Sequence, residues 1–255
     1  MVSIPLSDPL PDFGAAVWRA TELGCALGAT LPSGHVALDA QLPGAGWPVG
    51  AISEILQPAY GHNEWRLLLP ALGRLAEGRM VLVGAPHVPF GPGLSSQGLD
   101  ARRLLWIAAT SLGDRLWAAE QAVRCAGVTA VLVWLQQARA EQLRRLQIAA
   151  QACSKPLFLM RPAQAQSEAS PAVLRVMATN QPDGDALLLQ IIKRRGPALD
   201  RPLLLSARPA RLAVLLRCSN AQVDPVAPRS LLGHSRGRGL LQGDGDVLAR
   251  ATNLA

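Results

Sequence analysis

Short apolar runs alternate with amphipathic segments along the middle of this 255-residue chain. Runs bounded by glycine or polar turns are typical of buried strands, and they predict strands at 51–56, 79–84, 104–109, 128–135 and 156–160. Apolar side chains at helical spacing predict helices that begin after Asn63 and after Ser111, with a third over 137–152. The first is expected to end near Glu77, and Pro70 should kink it or mark a break within it. Strands that alternate with helices indicate an α/β domain with a largely parallel sheet.

The pattern changes after Arg161. A polar segment is followed by the strand-like runs 172–179 and 186–193, and the turn sequence NQPDGD between them predicts a β-hairpin. Further strand-like runs occupy 203–206 and 212–216. We therefore expect an N-terminal extension with a helix (1–30), a core (31–218) whose part 171–218 is β-rich, and a flexible glycine- and arginine-containing tail (219–255).

Composition narrows the class of protein. Apolar residues make up 49% of the chain, which predicts a globular domain, and no run is long and apolar enough for a membrane span. The proline-interrupted start is unlike a signal peptide, so we expect a cytoplasmic protein. The cysteines and histidines are scattered without metal-ligand spacing, which favours buried free thiols and predicts no metal site.

Positive charge is concentrated in one block. The formal net charge is +7, and residues 171–218 hold eight basic and three acidic residues, a net of +5. Such a block suits DNA or an acidic protein surface, whereas the alternative is an ordinary solvated face. The candidate DNA- or partner-binding residues are Lys193, Arg194, Arg195, Arg201, Arg208 and Arg211, with Arg229, Arg236 and Arg238 in the tail.

The segment after strand 51–56 stands where a nucleotide-binding protein turns its chain around a phosphate. A P-loop, G-x-x-x-x-G-K-[ST], needs a lysine for the phosphates and a hydroxyl for magnesium. Both lysines of this chain, Lys155 and Lys193, lie elsewhere. Glu64 would repel a triphosphate, and a neutral His62 is a poor substitute cation. The residues of this degenerate loop are Gln57, Pro58, Gly61, His62, Asn63 and Glu64.

A second part of the ATPase machinery is also missing. The apolar run Ala130–Leu135, after which a P-loop enzyme carries an acid, ends without a carboxylate. We therefore predict no ATP hydrolysis, no catalytic residue and no cofactor.

Several segments resemble known families. The lead-in to the degenerate loop, with Gly34, Leu38-Asp39, Gly44-Ala-Gly46, Gly50 and Glu54-Ile55, is similar to that of RecA recombinases. Beyond it the chain resembles the ImuA family, proteins associated with translesion synthesis and related to RecA and SulA. The matching segments are LLLPALGRL (67–75), APHVPFGPGL (85–94), GLDARRLLWIAATS (98–111), LWAAEQAVR (116–124), AVLVWL (130–135), LRRLQIAAQA (143–152) and RRGPALDRPLLL (194–205).

This resemblance implies a fold and a role. The fold would be a RecA-like, mostly parallel sheet flanked by helices, with a β-rich C-terminal block. The role would be a non-catalytic accessory factor of damage-induced, error-prone translesion synthesis within the SOS response. Its partners would be RecA, an ImuB-like inactive polymerase and, indirectly, a DnaE-type polymerase, with DNA binding left open. The alternative is a SulA-like division inhibitor that docks on FtsZ.

Two further apolar features have alternative interpretations. The loop 86–98 carries Val88 and Phe90 between prolines, so it either docks a partner or packs onto the core. Most tryptophans fall in predicted helices or strands and are expected in the core, including Trp106 and Trp117.

Overall fold

The computed structural model describes residues 28–61, 63–75, 77–181, 186–197, 199 and 201–206. All of them belong to a compact unit assigned to Met1–Ala213. The helix predicted in the N-terminal extension, over 13–27, lies outside the described residues, as do the strand-like run 212–216 and the tail. So do six predicted site residues: His62, Arg208, Arg211, Arg229, Arg236 and Arg238.

An eight-stranded mixed sheet forms the centre of the described chain. Two short strands, β1 (Thr30–Leu31) and β2 (Trp47–Pro48), pair separately. The main sheet has the order β10-β9-β8-β3-β7-β6-β4-β5, and its strands from β8 to β5 run parallel. Its members are β3 (Ile52–Gln57), β4 (Arg79–Val83), β5 (Leu104–Ile107), β6 (Val128–Trp134), β7 (Leu157–Pro162), β8 (Leu174–Asn180), β9 (Ala186–Lys193) and β10 (Leu203–Ser206).

The strands β8 and β9 form the predicted antiparallel hairpin, and β10 extends it at the edge. This arrangement confirms the predicted mostly parallel α/β sheet and its β-rich C-terminal block. Because β3, β6 and β7 are covered on both faces, almost every side chain along them is buried, which explains their continuous apolar sequences.

Helices cover both faces of the sheet. They are α1 (Val36–Asp39), α2 (Glu64–Leu72), α3 (Gly91–Ser96), α4 (Leu112–Arg124) and α5 (Ala140–Cys153), and short 3-10 helices span Ala101–Arg103 and Ala163–Ser167. One core contains the leucines of α2 and the side chains on one face of the strands. The other contains the apolar stripes of α4 and α5, as predicted from their spacing. Ser111 caps α4 by accepting a hydrogen bond from the Asp114 amide at 3.1 Å.

The helix α2 is shorter than predicted, because it ends at Leu72 rather than near Glu77. Pro70 lies in its last turn and has no amide hydrogen for the Arg66 carbonyl. The His35 imidazole lies 3.2 Å from the Leu67 carbonyl and also interacts with that of Arg66. A side chain from outside the helix thus supplies the interaction that proline removes.

Candidate functional site: an occupied phosphate loop

The degenerate loop lies at the carboxyl edge of the sheet, between the end of β3 and the start of α2. The strand β3 is internal, with the parallel strands β7 and β8 on either side. Open α/β sheets bind ligands at this edge, and the free amides of a helix N-terminus favour anions there. Gly61 adopts a φ of 84°, which lets the loop turn back toward the helix. The position is therefore that of a phosphate cradle.

The carboxylate of Glu64 occupies this cradle. Its Oε1 accepts hydrogen bonds from the Gln57 side chain at 2.6 Å, the Gly61 amide at 2.8 Å and the Trp134 indole at 3.0 Å. Its Oε2 accepts one from the Asn63 amide at 3.1 Å. The residue is 1% exposed. Every contact is with a donor, as for an ionised carboxylate, so the protein provides its own anion at this position.

Trp134 and Asn63 have roles that differ from the sequence expectations. Trp134 is the last residue of β6, close to where a P-loop enzyme carries its second acid, and it supplies a donor to Glu64. Asn63 precedes α2 as predicted, but its side chain does not cap the helix. The side-chain amide of Asn63 instead donates a hydrogen bond to the Ala178 carbonyl on β8 at 3.2 Å. Both side chains fasten the loop to neighbouring strands.

A cavity of about 260 Å³ adjoins the loop and contains Tyr60 and Arg115 in its wall. Arg115 donates to the backbone carbonyls of Ala109 at 2.9 Å and Trp134 at 3.0 Å. Its guanidinium is therefore engaged in holding strand ends. The Tyr60 hydroxyl lies 3.2 Å from the Leu135 carbonyl, and burial raises the pKa of Tyr60 to about 12.

A buried ionic cluster lies behind the loop. Glu54 in β3 is fully buried and pairs with Arg175 in β8 at 2.6 Å and with Arg161 in β7 at 3.5 Å. Arg161 also pairs with Glu168 at 2.6 Å, and the Ser170 hydroxyl donates to Glu54 at 2.7 Å. Charged residues inside otherwise apolar strands indicate such a cluster, but the sequence does not show which of these residues pair with one another. Because the pairs join three adjacent strands, the cluster fixes the strands relative to one another.

The described candidate residues of the basic block lie at the amino edge of the sheet, opposite the carboxyl edge that holds the phosphate loop. Lys193 donates to the Ser170 carbonyl at 3.0 Å, and Arg194 donates to the carbonyls of Pro197, at 2.8 Å, and Gln41. Arg195 and Arg201 are exposed. Lys193, Arg194, Arg195 and Arg201 therefore lie at the opposite end of the strands from the phosphate loop, whereas Arg175 of the same block belongs to the buried ionic cluster.

Part of the loop 86–98 packs onto the core and part of it is exposed. Leu94, and Leu99 just after the loop, are buried in the core, whereas Val88 is 65% and Phe90 74% exposed. The prediction that the tryptophans pack in the core is wrong for Trp106 and Trp117, which are 43% and 66% exposed. Trp106 lies on the edge strand β5, which joins the sheet through β4 alone.

The cysteines, the search for a metal site and the search for a membrane span complete the description of the site. Cys153 is partly buried but Cys125 is exposed, which corrects the expectation of buried thiols for that residue. Within the described ranges, no three histidine, cysteine or acidic side chains are arranged to hold a metal ion. Across the same residues, no helix has the length and apolar character needed to cross a membrane.

The fold and the site define an α/β protein whose phosphate loop is occupied by its own carboxylate. No family model matches the chain. The cell division inhibitor SulA of Edwardsiella piscicida is 31% identical to it over 115 residues, which cover 44% of this chain and 68% of that protein. The chain belongs to the family of the cell division inhibitor SulA.

Proposed function

We propose that this protein is a non-enzymatic, ImuA-like accessory factor of damage-induced, error-prone translesion synthesis in the SOS response. It would act in the cytoplasm by docking an ImuB-like inactive polymerase and RecA, and through them an error-prone DnaE-type polymerase. The observation that carries the proposal is the Glu64 carboxylate, which is bound by four donors in the phosphate cradle.

The occupied cradle favours a docking role over catalysis. A nucleotide would have to displace a buried carboxylate and leave its negative charge beside the phosphates, which is electrostatically unfavourable. The sequence provides no P-loop lysine, and Arg115 in the adjoining cavity is held by backbone carbonyls. A RecA-like subunit without nucleotide turnover would bind a RecA filament without extending it. Such a subunit would cap or loosen the filament.

The proposed docking surface for this role consists of exposed apolar residues on two segments: Val88 and Phe90 on the loop 86–98, and the edge strand β5. Val88 and Phe90 project from one loop, and Trp106 and Leu105 are exposed on the strand. The Ile107 carbonyl faces β4, since it accepts from the Gly84 amide at 2.9 Å. Peptide groups alternate along a strand, so the N–H and C=O of Trp106 point away from β4. The edge therefore offers both apolar anchors and main-chain hydrogen bonds, the features that an added strand uses.

The test is a titration of the full chain against RecA, an ImuB-like protein and FtsZ in parallel, without added nucleotide, followed by measurement of RecA filament length. We expect binding to RecA and the ImuB-like protein and shorter filaments at stoichiometric protein. Phe90→Ala and Trp106→Ala should weaken RecA binding, whereas Trp117→Ala, an exposed tryptophan on α4, should not. Unchanged filament length would reject the proposed action on RecA.

A second candidate function is inhibition of cell division. The identity to SulA favours it, and FtsZ would then be the partner. Binding to FtsZ with no affinity for RecA or the ImuB-like protein would select this function over the first. The comparison in one titration thus separates the two candidates.

A further inference from the structure

A cavity lies at the amino edge of the sheet, opposite the phosphate loop. Its volume is about 380 Å³. Its wall includes apolar residues such as Leu42 and Val49, and it also includes amides and cations: Gln147, Gln151, Arg194 and Arg195. The cavity is thus an amphipathic pocket, with apolar and hydrogen-bonding surfaces facing the same space.

The described part of the pocket wall carries positive charge. Among the residues that the structure describes, the wall contains two arginines and no aspartate or glutamate. Among the described residues, no carboxylate forms an ion pair with Lys193, Arg194 or Arg195. Two backbone carbonyls fix the Arg194 guanidinium in the wall, so little side-chain entropy remains to be lost when a ligand binds. Arg195 is exposed beside it.

We propose that this pocket binds an acidic peptide segment of a partner protein, with a carboxylate at Arg194 and Arg195 and an adjacent apolar side chain against Leu42 and Val49. An arginine pair matches carboxylate geometry and charge. The apolar wall matches a side chain rather than a sugar-phosphate backbone. The inference goes beyond the docking function proposed above, because it concerns a different edge of the sheet and holds for any acidic partner.

The shape of the pocket disfavours nucleic acid as the occupant. Single-stranded DNA is bound by a groove that follows the backbone, with aromatic side chains on which bases stack. The described part of the pocket wall contains no aromatic residue, and a volume of about 380 Å³ is small for a groove that follows a nucleic-acid backbone. A short peptide with alternating acidic and apolar residues fits both its charge and its size.

Fluorescence anisotropy of labelled synthetic ligands tests the proposal on the full chain. The probes are a peptide of alternating aspartate and leucine, the same peptide with asparagine in place of aspartate, and an oligothymidylate of similar length. Two variants change the polar wall, Arg195→Glu and Gln151→Glu. Arg74→Glu is the matched control, because Arg74 is exposed and lies outside the wall. Circular dichroism verifies that each variant is folded.

We expect the aspartate peptide to bind, and the asparagine peptide and the oligothymidylate to bind at least about tenfold more weakly. Arg195→Glu and Gln151→Glu should each lower affinity for the aspartate peptide by about tenfold or more, while Arg74→Glu leaves it unchanged. Equal binding of the asparagine peptide, unchanged affinity in both wall variants, preferred binding of the oligothymidylate, or no binding of the aspartate peptide would overturn the proposal. None of these results depends on RecA or FtsZ binding.

Discussion

Truncating Glu64 to alanine removes the anion from the phosphate loop and leaves its four donors without an acceptor. The Gln57 amide and the Trp134 indole are buried, and so is Asn63, whereas Gly61 is exposed and its amide can bond to water. A buried donor without a partner costs about 1–3 kcal/mol. With three such donors and partial relaxation of the loop, we expect Glu64→Ala to lower the free energy of unfolding by about 3–5 kcal/mol.

The assay is urea unfolding of the full chain, followed by tryptophan fluorescence. Glu64→Gln retains one oxygen acceptor and should lose about 1–3 kcal/mol, less than the alanine variant. Glu141→Ala is the matched control, since Glu141 is an exposed acid in the first turn of α5. Because this substitution leaves no buried donor without an acceptor, Glu141→Ala should lower the free energy of unfolding by less than about 1 kcal/mol.

The emptied loop also provides a ligand test. With Glu64 truncated, the free amides at the start of α2 can donate hydrogen bonds to another anion. Inorganic phosphate should therefore raise the unfolding midpoint of Glu64→Ala but not that of the wild type. Equal losses of stability in Glu64→Ala and Glu141→Ala would refute the structural role of the carboxylate. Stabilisation of the wild type by phosphate or ATP would refute the occupied loop and, with it, the basis for a non-enzymatic function.

Three other predictions concern titration and the buried ions. The single tyrosine, Tyr60, should ionise with a pKa of about 12 in an absorbance titration of the folded protein, because burial disfavours the tyrosinate; a value near 10.0 would place it in water. Burial lowers the pKa of His35, so the unfolded state binds the proton first and the free energy of unfolding should fall as pH drops below about 6.5. His35→Gln should flatten that fall in urea titrations at several pH values, and an unchanged slope would contradict it. Arg175→Met leaves Glu54 with a weaker partner and should lower the free energy of unfolding by about 3–5 kcal/mol, whereas Arg79→Met, at an exposed strand end, should lose less than about 1 kcal/mol.

Local patterns were sufficient to predict most of the sheet. The apolar runs that became β4 and β6 are continuous because both sides of these strands are covered, and that signal requires no knowledge of the fold. The capping residue Ser111 was predictable for the same reason, since its partner Asp114 is three residues away. The end of α2 was predictable only in part: Pro70 indicates a kink or break, but the contact of His35 with the last turn comes from a distant part of the sequence.

The site was predictable only in part. The sequence shows that the loop lacks a lysine and that Glu64 brings negative charge, but from the sequence alone that charge predicts only repulsion of a phosphate. The decisive donor is the indole of Trp134, which is 70 positions away in sequence and reaches Glu64 because β3 and β6 both lie beside β7. No local pattern reports this contact. The same limit applies to the pairing of Glu54 with Arg175.

The internal anion implies that the Gly61 and Asn63 amides have an acceptor without a ligand. A phosphate loop that had merely lost its lysine would keep free amides and would still depend on an anion for its order. Here Glu64 satisfies those amides, and the loop also lies close to the neighbouring segment, because a Cβ placed on Gly61 would be 2.8 Å from the His87 ring. His87 precedes the exposed Val88 and Phe90, so the proposed docking surface borders the segment whose amides are bound by Glu64. We therefore expect affinity for the ImuB-like partner to be unaffected by ATP, whereas a change in affinity with ATP would mean that the cradle opens to nucleotide.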